Sequence, residues 1–196
     1  MAQSVEAYKE FFEGDIIPPS WKDRVWSKED FKKFHENTVA SKEATEQWWE
    51  RWANEIFWFK KWGKVLDDSK PPFYRWFVGG ETNLAYLATD WQIQKGRKNK
   101  LALIWEGEPW HDELQQPKEV KKFTFYDLFK ASNMIAYALK EKLGVKKGEI
   151  ITFYLPMIPE LPFYMLAVQR LGAEHSVVFS GFSAEALASR VLDSGS

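Results

Sequence analysis

The chain has 196 residues, of which 45% are hydrophobic and 28% charged, with a net charge of −1 and no cysteine. This near-neutral charge gives no general attraction to nucleic acid or to an anionic membrane. The lack of cysteine excludes disulfides, thiolate metal sites and a thiol nucleophile. An acidic opening segment and short apolar runs predict neither a signal peptide nor a membrane span. We therefore expect a soluble, cytoplasmic protein of one domain, or of one domain with an appendage.

The first half is rich in aromatic residues, which make up 17% of the chain and include eleven tryptophans. Between Ser41 and Phe59 large apolar side chains recur at three-to-four-residue spacing, which predicts a helix with one aromatic face. The residues on this face are Trp48 or Trp49, Trp52, Ile56 and Phe59. Rings of this size stabilise proteins chiefly by burial. Packing against the body of the protein is therefore favoured over a carbohydrate or choline site.

Two consecutive prolines follow, Pro71 and Pro72. They forbid a helix and predict an extended crossing of the chain. We interpret residues 1–80 as a helical, Trp-rich extension that wraps around residues 81–196, and not as an independent domain.

The second half alternates between strand and helix patterns. Leu101–Trp105 and Val120–Thr124 are predicted strands that can pair across a polar, Pro-containing excursion. Thr124 with Asp127 three residues later predicts a capping box at the start of a helix. The apolar stripe of that helix ends at Gly144, a residue typical of helix C-termini. The stripe consists of Leu128, Ile135, Leu139 and Leu143.

Two further strand–helix pairs complete the chain. They are a strand over Glu149–Leu155, a helix over Pro159–Leu171, a strand over Ser176–Phe179 and a helix over Ser183–Asp193. This alternation predicts an α/β fold built from βαβ units, with right-handed crossovers and a parallel sheet. No strand pattern follows the last helix, so we expect the sheet to be unfinished on at least one side.

Few residues offer catalytic or metal-binding chemistry. His35, His111 and His175 are scattered, and none has another ligand at metal-binding spacing. His175 precedes an apolar strand and is interpreted as a structural histidine. Nucleophile-elbow, Walker and dinucleotide fingerprints are absent from the sequence. We predict no metal site and no catalytic residue in this chain.

The turn Ser180-Gly181 links the last predicted strand to the last helix. Physical reasoning favours a plain connection, in which Gly181 lets the chain reverse and Ser183 caps the helix. The alternative is a ligand site, because ligands of open α/β sheets collect at the carboxyl ends of strands. Backbone N–H groups at a helix start can also meet an anion.

Three segments of the sequence resemble one family. Residues 58–90, 102–109 and 155–196 are similar to the N-terminal part of acetyl-CoA synthetases, and more broadly to short-chain acyl-CoA synthetases of the AMP-forming, adenylating superfamily. The resemblance covers most of the chain after about residue 45, and its last block is specific and collinear. It implies that residues 81–196 form the first part of the AMP-binding large domain, which is truncated here.

The resemblance implies a two-step ligase that uses ATP, CoA and Mg²⁺. A carboxylate attacks the α-phosphate of ATP, and the CoA thiol then displaces AMP from the acyl-adenylate. The family pattern F-G-G-F-S corresponds to residues 179–183, a turn beside the CoA nucleotide, with Ser180 in place of the first glycine. Phe179, Ser180 and Gly181 are therefore the candidate CoA-binding residues. The family's phosphate loop, acyl pocket and catalytic lysine lie downstream of the matched region.

We therefore expect an N-terminal fragment of an acetate–CoA ligase, inactive alone and holding none of these cofactors firmly. Its partners would be small-molecule substrates, with no nucleic acid and no membrane. Unpaired strand edges predict self-association of the fragment. One alternative is a non-catalytic interaction module derived from the synthetase fold. Another is an unrelated nucleotide-binding α/β domain, which no glycine fingerprint supports.

Overall fold

A computed structural model describes residues 27–196, and the chain divides into two compact units, Met1–Glu55 and Ile56–Ser196. The predicted boundary near residue 80 between extension and large domain stays a prediction.

The described part of the first unit is a pair of helices, α1 (Lys28–Thr38) and α2 (Lys42–Ala53). Both begin at serine caps, Ser27 and Ser41, whose hydroxyl oxygens accept from backbone N–H groups of the first turn. Trp48 joins the two helices, because its ring meets Phe34 edge-on at 4.7 Å between centroids.

The predicted helix over 41–59 is wrong in its last third. Helix α2 ends at Ala53, and Asn54 caps it by donating its side-chain amide to Glu50 O at 2.9 Å. Beyond the helix end, Phe57 and Phe59 pack with Tyr86, each ring centroid 5.0 Å from that of the tyrosine. Packing with a residue distant in sequence thus overrides the helical spacing. Whether the Trp face of α2 packs on the rest of the protein stays a prediction.

The second unit contains the remaining elements. In chain order they are β1 (Lys64–Asp67), β2 (Arg75–Val78), α3 (Leu84–Ala88), α4 (Asp90–Gln92), a π-helical turn (Ile93–Arg97), β3 (Leu101–Glu106), β4 (Trp110–His111), β5 (Gln116–Pro117), β6 (Val120–Thr124), α5 (Phe125–Leu143), β7 (Ile150–Leu155), α6 (Glu160–Arg170), β8 (Glu174–Phe179) and α7 (Ala184–Ser194).

The extended crossing predicted at Pro71 and Pro72 is wrong. The two prolines lie in the connection of an antiparallel hairpin, in which β1 pairs with β2 and Asp67 lies opposite Arg75. Proline has no N–H to donate to a strand ladder, so it fits the connection better than either strand. The predicted extension is therefore not only helical.

The pairing predicted for the next two strands is confirmed. β3 and β6 are antiparallel, with Ile104 opposite Lys122. The excursion between them carries a two-residue ladder of its own, β4 with β5. This second hairpin packs on α6 through Phe123 and Phe163, whose rings meet edge-on at 5.1 Å between centroids.

Helix α5 begins and ends as predicted. Thr124 and Asp127 form the reciprocal capping box, and Gly144 ends the helix with a left-handed φ of 72°. The predicted stripe is correct for Leu128 and Leu139, which are buried, whereas Leu143 is 74% exposed. The last turn of the helix therefore lies outside the core.

The predicted parallel sheet is present in one strand pair. β7 and β8 are parallel, from Ile150 opposite Glu174 to Leu155 opposite Phe179, with α6 as the connection. Helices α5 and α6 cover one face and build the core with Phe153. Helix α7 lies against both strands, and Val178 is only 1% exposed. This is an α/β arrangement with helices on both faces of the pair.

The prediction of several βαβ units is wrong for the segment β6–α5–β7. Among residues 27–196, β6 pairs only with β3, and β7 pairs only with β8. The β4–β5 ladder returns the chain to β3, so β6 takes an antiparallel partner before α5 begins. The described residues therefore contain one βαβ unit.

Candidate functional site

The three predicted site residues form one turn at the carboxyl end of β8. Phe179 is the last residue of the strand, and Ser180 and Gly181 carry the chain to Ser183, the cap of α7. The N–H of Phe182 donates to Phe179 O at 3.1 Å and closes the turn. Phe179 is 57% exposed, so its ring is available to a ligand.

The tyrosine at position 154 holds this turn from the neighbouring strand. Its hydroxyl lies 2.8 Å from Ser180 O and 2.8 Å from Phe182 O, both of which are backbone carbonyl oxygens. Tyr154 was not among the residues predicted from the sequence. The available signal was a tyrosine near the end of an apolar strand, because its hydroxyl can donate to a neighbouring segment.

Gly181 is crowded by a neighbouring ring and is not held in a backbone conformation that favours glycine. Its φ is not in the left-handed region, and a Cβ built there would lie 2.6 Å from Cε1 of Phe179. The explanation that glycine merely allows the reversal is therefore replaced by a steric one. Ser180 is unstrained as well, since positive φ values among described non-glycine residues occur at Phe77 and Gln115.

The first turn of α7 already contains a negative charge. Ser183 Oγ accepts from the N–H of Ala186 at 3.3 Å, which confirms the predicted cap. The pKa of Glu185 is lowered, first by its own backbone N–H and then by the Ser183 hydroxyl. A carboxylate at this position competes with any other anion for the helix start. The predicted alternative of a phosphate held there by the helix is thereby disfavoured.

Aromatic and cationic groups surround the turn. The rings of Phe179 and Phe182 meet edge-on at 6.1 Å between centroids. The Arg190 guanidinium lies 4.4 Å from the ring centroid of Phe182, a cation–π contact. The turn can therefore offer a ligand two partly exposed aromatic faces and one positive charge.

The described residues do not assemble a metal site. Within residues 27–196, no three His, Asp or Glu side chains gather in a way that could hold a metal ion. The ring of His175, on β8, stacks on Phe153 at 6.2 Å between centroids, as suits a packed histidine. None of the helices in this part of the chain is long and apolar enough to cross a membrane.

A cleft of about 660 Å³ lies at the amino-terminal end of the β7–β8 pair, beside the residues that precede these strands. Its walls include Asn83, Tyr86, Lys147 and Arg170. The Arg170 guanidinium is already engaged with Asp90 and Thr89. The turn at residues 179–183 and this cleft are therefore separate features.

Comparison with known proteins shows which family the chain belongs to. A family model described as "Acetyl-coenzyme A synthetase N-terminus" matches residues 31–88, and one described as "AMP-binding enzyme" matches residues 90–196. The chain belongs to the AMP-binding enzyme family. The second match contains the strand pair β7–β8 and the candidate turn.

Individual relatives are similar to most of the chain. A protein of Pyrobaculum aerophilum named acetyl-coenzyme A synthetase is 54% identical over 185 residues, which are 94% of this chain and 27% of that protein. Proteins of the same name from Pyrobaculum arsenaticum and Leptospira biflexa are 51% and 42% identical. They cover 94% and 91% of this chain. The chain thus spans about a quarter of the length of these curated relatives, 27%, 27% and 26%.

Proposed function

We propose that the chain forms the N-terminal part of an ATP-dependent, AMP-forming acetate–CoA ligase. The observation that carries the proposal is the 54% identity to the Pyrobaculum aerophilum protein over 94% of this chain. The order of the two matched family models, residues 31–88 and then 90–196, supports it further. The partners of the whole ligase are then small molecules: ATP, a short-chain carboxylate and CoA.

The proposed reaction has two steps. An acetate oxygen attacks the α-phosphorus of ATP, forms the acyl-adenylate and releases pyrophosphate. The CoA sulfur then attacks the acyl carbon, loses its proton and releases AMP. Mg²⁺ for the first step would be bound by the whole ligase. We assign no metal ligand to residues 27–196, because these residues contain no cluster of side chains that could hold a metal ion.

Within this ligase we assign Phe179, Ser180 and Gly181 to the CoA site. The exposed Phe179 ring and its neighbour Phe182 suit the apolar arm of the coenzyme. Arg190 lies beside Phe182 and adds one positive charge at the side of the turn. The Glu185 carboxylate at the start of α7 makes that helix an unfavourable place for a phosphate. We therefore assign the turn to contacts with the arm rather than to a phosphate cradle.

A chimera tests the function. Residues 1–196 replace the matching segment of the Pyrobaculum aerophilum relative, and two activities are measured: acetate-dependent ATP–pyrophosphate exchange and CoA-dependent AMP release. We expect both activities at a level within about tenfold of the unmodified relative. A folded chimera with neither activity would overturn the proposal.

The 196-residue polypeptide alone is expected to be inactive. A coupled pyrophosphate-release assay with ATP, Mg²⁺, acetate and CoA should stay at background. Clear turnover would contradict the proposal that the catalytic groups lie elsewhere in the ligase. Calorimetry on the same polypeptide should show no firm binding of ATP or CoA.

The alternative function is a non-catalytic interaction module. Exposed apolar side chains on α5 favour it, because exposed apolar patches mark interfaces. Met134, Tyr137 and Leu143 on this helix are 71%, 66% and 74% exposed. An inactive but folded chimera would support this alternative over the ligase.

A further inference from the structure

The Tyr154 hydroxyl shares its one proton between two backbone carbonyls of the candidate turn. It lies 2.8 Å from both Ser180 O and Phe182 O. Tyr154 stands on β7, whereas the turn follows β8, so the contact crosses from one strand to the end of its neighbour. The residue is 40% exposed, and the core on the other face of the strand pair does not depend on it.

These contacts fix the orientation of two peptide groups. A trans peptide points its N–H opposite to its C=O. With the carbonyls of Ser180 and Phe182 turned toward Tyr154, the N–H groups of Gly181 and Ser183 point away from it. Within residues 27–196, neither N–H donates to a protein acceptor. The turn thus presents two backbone donors on its outer side.

We infer that Tyr154 is a positioning residue for coenzyme binding in the ligase. It holds the turn so that the outward donors and the exposed Phe179 ring face the coenzyme together. This inference rests on the proposed function and adds a residue that the family pattern F-G-G-F-S does not contain. The coenzyme group that these N–H donors would bind is one that carries an acceptor oxygen.

The removal of the hydroxyl should affect the CoA step alone. In the chimeric ligase, Tyr154→Phe keeps the ring and removes the donor. We expect the KM for CoA to rise about fivefold, the effect of one net hydrogen bond. Acetate-dependent ATP–pyrophosphate exchange, which needs no CoA, should change less than about twofold. A residue that only stabilised the fold would lower both activities together.

Two further variants sharpen the test. Tyr137→Phe removes the hydroxyl of a tyrosine that is 66% exposed on α5, and it should leave both activities unchanged. Replacement of Tyr154 by p-aminophenylalanine restores an N–H donor at the same position. It should recover most of the affinity for CoA that Tyr154→Phe loses. Thermal unfolding of each variant reports whether its fold is intact.

The possible outcomes separate this inference from the proposed function. If the unsubstituted chimera neither exchanges pyrophosphate nor uses CoA, the proposed function fails. If that chimera is active and Tyr154→Phe leaves the KM for CoA unchanged, the role of Tyr154 is wrong while the function stands. Unfolding of Tyr154→Phe, or an equal loss of both activities, shows a structural role and also overturns the inference.

Discussion

Arg170 and Asp90 form an ion pair in which Nη2 of the arginine lies 2.5 Å from Oδ2 of the aspartate. The same Nη2 donates to Thr89 Oγ1 at 2.7 Å, and Thr89 is completely buried. The guanidinium also lies 5.6 Å from the ring centroid of Phe129. One side chain at the end of α6 thus connects the start of α4 with helix α5.

Removal of this arginine should destabilise the second unit. The side chains of Arg170 and Asp90 are only 18% and 20% exposed. Loss of the arginine therefore leaves the Asp90 carboxylate poorly solvated and without its ion-pair partner. We expect Arg170→Met to lower the free energy of unfolding by about 2–3 kcal/mol. Urea unfolding monitored by tryptophan fluorescence measures the change.

The matched control is an exposed ion pair of the same unit. Lys60 and Glu81 are 3.5 Å apart and 64% and 67% exposed. Glu81→Gln should change the free energy of unfolding by less than about 0.5 kcal/mol. Equal effects of Glu81→Gln and Arg170→Met would contradict the importance assigned to burial.

The capping box of α5 predicts a pH-dependent stability. The pKa of Asp127 is lowered, first by the Thr124 hydroxyl and then by the Thr124 backbone N–H. A carboxyl with a lowered folded-state pKa stabilises the fold above its unfolded pKa of about 3.9. This contribution is lost as the pH falls through the folded pKa.

We therefore expect Asp127→Asn to be less stable than the unsubstituted chain at pH 7. The difference should shrink as the pH is lowered from 7 through the unfolded pKa of about 3.9 and then through the lowered folded-state pKa of Asp127. Thr124→Ala should cost about 1 kcal/mol at neutral pH. Urea unfolding across this pH range tests both statements, and a difference between Asp127→Asn and the parent chain that grows toward pH 3 would contradict them.

Two glycines should respond differently to substitution. Gly144 has a φ of 72°, a backbone conformation that is unfavourable for residues other than glycine. Gly144→Ala should therefore lower the free energy of unfolding by about 1 kcal/mol. Gly181 lacks room only because of Phe179, whose exposed ring can swing aside. Gly181→Ala should cost less than about 0.5 kcal/mol. Thermal unfolding of the two variants measures the contrast, which a larger loss at Gly181 would refute.

The features that sequence reasoning predicted well are local. The cap at Thr124 and Asp127 depends on residues three apart, and Gly144 ends the same helix by its own backbone freedom. The strands Leu101–Glu106 and Val120–Thr124 are close in the chain and pair as predicted. Such features depend on contacts within a few turns or one hairpin, which a sequence pattern contains.

The features that sequence reasoning missed depend on distant partners. The helix after Ser41 ends early, because the residues beyond it pack near Tyr86. The location of the candidate turn was predicted, whereas its contact with Tyr154 was not. That contact requires β7 and β8 to align with Leu155 opposite Phe179. Strand register between segments more than twenty residues apart is not written in either segment alone.

The outer edge of β8 favours association of the polypeptide with itself. Among residues 27–196 this strand pairs only with β7, and Val177 on it is 46% exposed. An unpaired edge with exposed apolar side chains favours strand-to-strand association. We expect the 196-residue polypeptide to form dimers or larger species as its concentration rises.

Val177→Lys should weaken this association, because a charged residue on an edge strand opposes pairing. Leu114→Lys, at a residue that is 62% exposed between β4 and β5, is the control and should have no effect. Sedimentation velocity over a hundredfold concentration range distinguishes the species, and a monodisperse monomer throughout would refute the prediction.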